Sequence, residues 1–253
     1  MASTIWASPW FAAFPRWAFI LAVLCVLAAL GSGLGYRAGW WSFRTGFGLL
    51  STAFFCGMLA AVLAVVGIIA ATKTQASGRV LLSLAALAIA IVIVYWPYHY
   101  KRLVASLPFI HDISTDTTDP PAFVAVRALR LATDHPVAYD GAEVAAQQHT
   151  AYPDLAPLEI NRSPADAFAA ARAVLAEMKL DEVAAVVEEG RLEATATTFF
   201  YGFKDDLVVR IRPTATGSRI DVRSKSRVGR SDVGANAKRI RAFMMLMQRR
   251  LVG

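Results

Sequence analysis

The chain holds no aspartate or glutamate before residue 112, although seven lysines and arginines lie in its first 102 residues. Charge of either sign is missing from three apolar runs, at about 17–34, 47–71 and 80–96. Ion and proton pathways keep ionisable groups at membrane depth, so this lack argues against a transporter or pump and for an anchor or scaffold. Cysteine is nearly absent. Cys25 and Cys56 both fall inside the apolar runs, which excludes a disulfide framework or thiolate metal site in the C-terminal part. The sequence also has no G-x-S-x-G elbow, no H-E-x-x-H and no glycine loop that would cradle a phosphate. The net charge of +7 resides in the first part, because the 19 basic residues beyond residue 102 match all 19 acids there. A nucleic-acid footprint would place that excess on a soluble face, so nucleic acid is not an expected partner.

What is present divides the chain near residue 102. Residues 1–102 read as a transmembrane region, since 18 to 20 helical residues cross a hydrocarbon core of about 30 Å. The six tryptophans lie before or at the ends of these runs, as interfacial anchors do, and the bilayer itself is the first expected partner. The opening run is too long for a cleaved signal peptide, lacks an A-x-A end and is read as a retained helix. Arg16, Lys73, Arg79 and the α-amino group on one side balance Arg37, Arg44, Lys101 and Arg102 on the other, so charge alone leaves the orientation open.

Residues 103–135 read as a linker and turn motif, marked by "HDISTDTTDPP", and residues 136–253 as an α+β domain. A short helix is expected at about 141–149. In "NRSPADAFAAARAVLAEMK", Ser163 suits an N-cap, Pro164 the first helical position, and Phe168, Ala171, Leu175 and Met178 a buried stripe. An antiparallel meander follows, with turns at Glu189-Gly190, Gly202–Asp206 and Pro213–Ser218. Alternation places Leu207, Val209, Ile211, Ile220 and Val222 on one face and Arg210, Arg212, Arg219, Asp221, Arg223, Lys225 and Arg227 on the other. A loop joining Arg212 to Arg219 sets Arg210 opposite Asp221. The last helix, capped by Ser231 or Asp232, carries Ala237, Ile240, Phe243 and Met247 in one apolar arc that covers the apolar sheet face.

The candidate binding residues are the basic row and the aromatic turn: Arg210, Arg212, Arg223, Lys225, Arg227 and Arg230, with Phe200, Tyr201 and Asp205. Alternation reads the row as a solvated face. A like-charged row repels itself, however, unless something anionic meets it, and an acidic protein or anionic lipid headgroups would suffice. Reversal of Arg223 and Arg227 is expected to leave the fold intact. Asp112, Asp116 and Asp119, beside His111, are weak oxygen ligands for a hard cation, because Asp-Thr turns usually bond their own backbone. No metal or cofactor is expected. His149 is read as a surface or capping residue.

"HDISTDTTDPPAF", "AYPDLAPL", "GRLEATATTFFYGFKDDLVVRIRP" and "SRIDVRSKSRVGRSDVGANAKRI" occur in that order and resemble the bacterial and plastid family called domain of unknown function 1499. The resemblance covers about residues 108–251 and carries no established activity. Secretion and lipoprotein signals among its members imply an extracytoplasmic domain, hence Met1 in the cytoplasm and Gly253 in the periplasm. The expected protein has three transmembrane helices in the inner membrane and an antiparallel β-meander covered on one face by helices. Its expected role is non-enzymatic binding or assembly. The alternative is an enzyme or carrier for an anionic lipid or envelope metabolite, with acid–base work at Asp205 or Asp112.

Overall fold

A computed structural model describes Trp6 and residues 8–252. Met1 and Gly253, on which the orientation was framed, lie outside the described residues. The chain forms two compact units, residues 1–104 with 199–202, and residues 105–198 with 203–253.

The first unit contains α1 (Pro9–Arg37), α2 (Phe43–Lys73) and α3 (Ser77–Ala105). Each is long and apolar enough to cross a membrane. At 1.5 Å per residue, helices of 29 to 31 residues exceed a 30 Å hydrocarbon core by several turns. They therefore run past the apolar stretches at both ends. Ala18, Ala22, Ala60, Ala64, Ala86 and Ala90 form the buried seam, while residues such as Leu24, Phe55 and Val62 stay exposed. In lipid no hydrophobic force drives helices together, so small residues that permit close approach make the interface. Gly67 makes one such close approach, because a Cβ there would meet Ser83 Oγ at 2.7 Å.

The second unit begins with β1 (Asp112–Ser114), a 3-10 turn at Ala125–Leu129, α4 (Ala142–Ala151) and β2 (Leu158–Ile160). There follow α5 (Pro164–Glu177), β3 (Asp181–Val186), β4 (Arg191–Thr197), β5 (Lys204–Pro213), β6 (Ser218–Ser226) and α6 (Ala235–Val252). The sheet runs β1-β6-β5-β4-β3 with β2 also on β6, and every pairing is antiparallel. Register matches the reading of the loop: Arg212 pairs with Arg219 and Arg210 with Asp221. Gly190 makes the β3–β4 turn at φ 60°, where an added Cβ would lie 2.2 Å from the Ile211 carbonyl.

Ser163 caps α5 by accepting from the Asp166 amide, with Pro164 in the first turn. Asp232 caps α6, its carboxylate accepting from the amides of Gly234 (2.9 Å) and Asn236 (2.8 Å). Both helices bury their stripes on the same sheet face. Phe168, Leu175, Ile240, Phe243 and Met247 meet Leu207, Val209, Ile220 and Val222 in one continuous core. Burial of each such side chain contributes about 1.5–3 kcal/mol before the entropy of ordering is subtracted. The helices thus cover one face of the meander, as the alternation requires.

Candidate functional site

The opposite sheet face corrects the reading of a solvated basic row. Arg223 is 2% exposed, Lys225 0% and Arg227 6%. The cover is the chain's own segment 112–140, irregular apart from β1 and the 3-10 turn, so Asp112, Asp116 and Asp119, read as weak metal ligands, are partners of Arg210, Arg212, Arg223 and Lys225 of the row read as awaiting an anion.

Position by position, the charges answer one another. Arg223 forks onto Asp112, Nε to Oδ1 and Nη2 to Oδ2 at 2.8 Å each, and its remaining N–H groups reach the carbonyls of Pro121 and Val137. Its guanidinium also lies over the Phe123 ring at 4.8 Å and the Tyr139 ring at 5.3 Å. Lys225 Nζ donates to Ala138 O (2.7 Å) and Asp140 Oδ1 (2.6 Å) and lies 3.2 Å from Asp112 Oδ2 as an ion pair. Arg227 forks onto Asp206 and donates to Leu129 O, and Arg130 reaches back from the covering segment to Asp206 at 2.8 Å. Charge-assisted hydrogen bonds thereby take the place of secondary structure for this backbone.

Glu193 performs the complementary task and was not singled out from the sequence. Fully buried on β4, its carboxylate accepts from the amides of Val124, Ala125 and Val126 at 2.9–3.0 Å and from Arg191. A carboxylate at the N-terminus of the 3-10 turn meets its orphan amides there. One isolated acid in a strand gives no such hint, because the amides it serves are 67 to 69 residues away in sequence.

At one end of this layer His111 and His135 stack with centroids 4.0 Å apart. His135 Nε2 donates to Gly229 O, whereas His111 Nε2 lies 3.3 Å from Asp140 Oδ2 in ion-pair range but off hydrogen-bond geometry. Burial, and then the neighbouring His135, lowers the pKa of His111 below the ordinary imidazole value. Desolvation, with Asp112 next, pushes the Tyr139 hydroxyl up to about 12. Among the described residues no group of three His, Cys, Asp or Glu side chains is placed to hold a metal.

At the other end the layer opens to solvent. Asp221, fully buried, accepts from Arg210, Arg212 and Arg219 at 3.0–3.2 Å. Asp116 accepts from Arg219 Nη2 at 2.8 Å, and its Oδ1 accepts from the amides of Thr118 and Asp119. Burial pushes its pKa up, but those amide bonds and the charges of Arg219 and Arg210 outweigh it and hold the carboxyl below the usual range. Asp119 caps the cluster at 62% side-chain exposure, beside Arg212 at 40%.

Over this geometry the family comparison becomes specific. A family model described as protein of unknown function, DUF1499, matches residues 112–247. The chain belongs to this family. Its match starts at Asp112, the first acid of the covering segment, and takes in β1 through most of α6. The family region therefore contains the sheet, both of its covers and the ion-pair layer between them. A search among curated proteins returned no match.

Asp205 and Asp206, expected in a turn, lie in β5, and each has a cation: Asp206 belongs to the layer through Arg227 and Arg130, whereas Asp205 meets Arg239 Nη2 at 2.7 Å on the helical side. The other candidates fall outside the layer. Phe200 and Tyr201 belong to the first unit, not to the body holding the arginines. Arg230 is exposed, its guanidinium 5.1 Å from the Phe109 ring. His149 makes a surface hydrogen bond with Thr117 (2.8 Å).

Proposed function

We propose that the chain is a membrane-tethered binding or assembly module of the inner membrane, whose C-terminal domain faces the periplasm and meets an anionic group of a protein or lipid. The observation that carries this reading is the open end of the ion-pair layer. There Arg212 is 40% and Arg219 31% exposed, whereas Arg223, Lys225 and Arg227 are spent on the fold. The acid–base alternative finds less support, since Asp112 and Asp205 are 0% and 4% exposed and each is engaged by a cation, out of a substrate's reach.

The test is capture of partners and lipids by the full chain in a mild uncharged detergent, with Arg212→Gln beside the wild type. Arg212 is the most exposed of the three arginines, and Arg210 and Arg219 still hold the buried Asp221, so the variant is expected to stay folded and to capture less of its anionic partners, and wild-type capture is expected to weaken with salt. Equal capture by wild type and variant, indifferent to salt, would remove this surface from consideration. Orientation is read from alkaline phosphatase fused after Gly253, active on the periplasmic side and inactive on the cytoplasmic one.

A further inference from the structure

Asp119 sits where an oxygen of an external ligand would sit. Its Oδ2 lies 3.1 Å from Arg210 Nη1 and 2.9 Å from Arg212 Nη1, so one oxygen bridges two guanidiniums. The other donors nearby are committed below it, with Arg210 Nε and Arg212 Nη2 bonded to the buried Asp221. The Asp119 backbone is tied down independently: its carbonyl accepts from Arg210 Nη2 at 2.7 Å and its amide donates to Asp116. Its side chain can therefore rotate away without the loop coming off the sheet.

We propose that Asp119 is an internal stand-in for a phosphate-type oxyanion, which takes the bridging position when the carboxylate swings out. The inference rests on the reading that this end of the layer binds anions, and it names the ligand's chemistry. With Asp119 in place three arginines face three aspartates; without it three guanidiniums face two carboxylates, Asp116 and Asp221. A free carboxylate offers the same single charge as Asp119 but lacks its tethered effective concentration, so it competes poorly. A phosphate carries up to two charges and three acceptor oxygens, and an exposed ion pair is weak enough to be exchanged for it.

The test titrates inorganic phosphate into the full chain in maltoside micelles by calorimetry. Asp119→Asn, which keeps the size and removes the charge, is expected to bind phosphate roughly three- to tenfold more tightly than wild type, and Asp119→Asn/Arg212→Gln to lose the gain. A lipid arm counts phosphatidic acid retained from nanodiscs, with phosphatidylcholine as the control. Gain in both arms supports the site with either source. Gain only with phosphatidic acid assigns it to a headgroup, and gain only with free phosphate to a soluble ligand. If wild type and Asp119→Asn bind phosphate equally, the anion reading stands and the role of Asp119 is overturned. Binding of neither probe by any variant overturns both.

Discussion

The double variant Arg223→Glu/Arg227→Glu is expected to lose the folded C-terminal domain. Each arginine is buried and forked onto a carboxylate that is itself inaccessible, Asp112 in one case and Asp206 in the other. Breaking a buried pair by removing one partner costs about 3–5 kcal/mol, because the charge left behind stays desolvated. Glutamate goes further by placing a second carboxylate against the first. Two such losses approach or exceed the 5–15 kcal/mol that holds a typical domain together. The carbonyls of Pro121, Val137 and Leu129 lose donors as well, so segment 112–140 has little left to bind it. The measurement is thermal unfolding of the full chain in detergent, with Arg230→Glu as the exposed control. Retention of a wild-type transition in the double variant would show that the row is not what holds the cover.

Phe243→Asp is expected to have an effect of comparable size on the other face. Phe243 is fully buried between α6 and the sheet, within the core that includes Phe168 and Val222. Truncation of a buried phenylalanine costs about 3–5 kcal/mol, and a carboxylate with no partner there costs more. Met245→Asp is the matched control, because Met245 is 53% exposed on the same helix. The expected result is a domain unfolded or strongly destabilised by the first substitution and almost unchanged by the second. Equal, small effects would mean that α6 does not pack on the sheet.

These two faces were legible in the sequence to very different degrees. The helical cover could be read because its signals are local: a Ser-Pro start at Ser163 and Pro164, an apolar stripe through Phe243 and Met247, and strict alternation along β5 and β6. The short connection between Arg212 and Arg219 even fixed which residue opposes Asp221. The second cover has no period to detect. Residues 115–140 form no regular element beyond the 3-10 turn, and the pair that anchors them, Asp112 with Arg223, spans 111 residues. A polar strand face also reads the same whether water or a charged segment of the same chain lies over it. The available clue was stoichiometric, since 19 acids balance 19 bases in the C-terminal part and a row of cations had no local counterions. At the candidate site, Arg210, Arg212 and Arg219 were placed on one face from alternation alone, while the bridging position of Asp119 emerges only when β5, β6 and the covering segment come together.

Amide hydrogen exchange across residues 112–140 of the full chain tests the self-neutralised cover most directly. The account predicts protection approaching that of β5 and β6 at the amides of Ser114, Thr115, Val124, Ala125, Val126 and His135, whose acceptors are Gln148, Val222, Glu193 and Arg227. Glu193→Gln should strip that protection selectively from residues 124–126. Exchange of the whole segment at the rate of an open chain, with β5 and β6 still protected, would contradict the account, because the basic row would then stand uncovered.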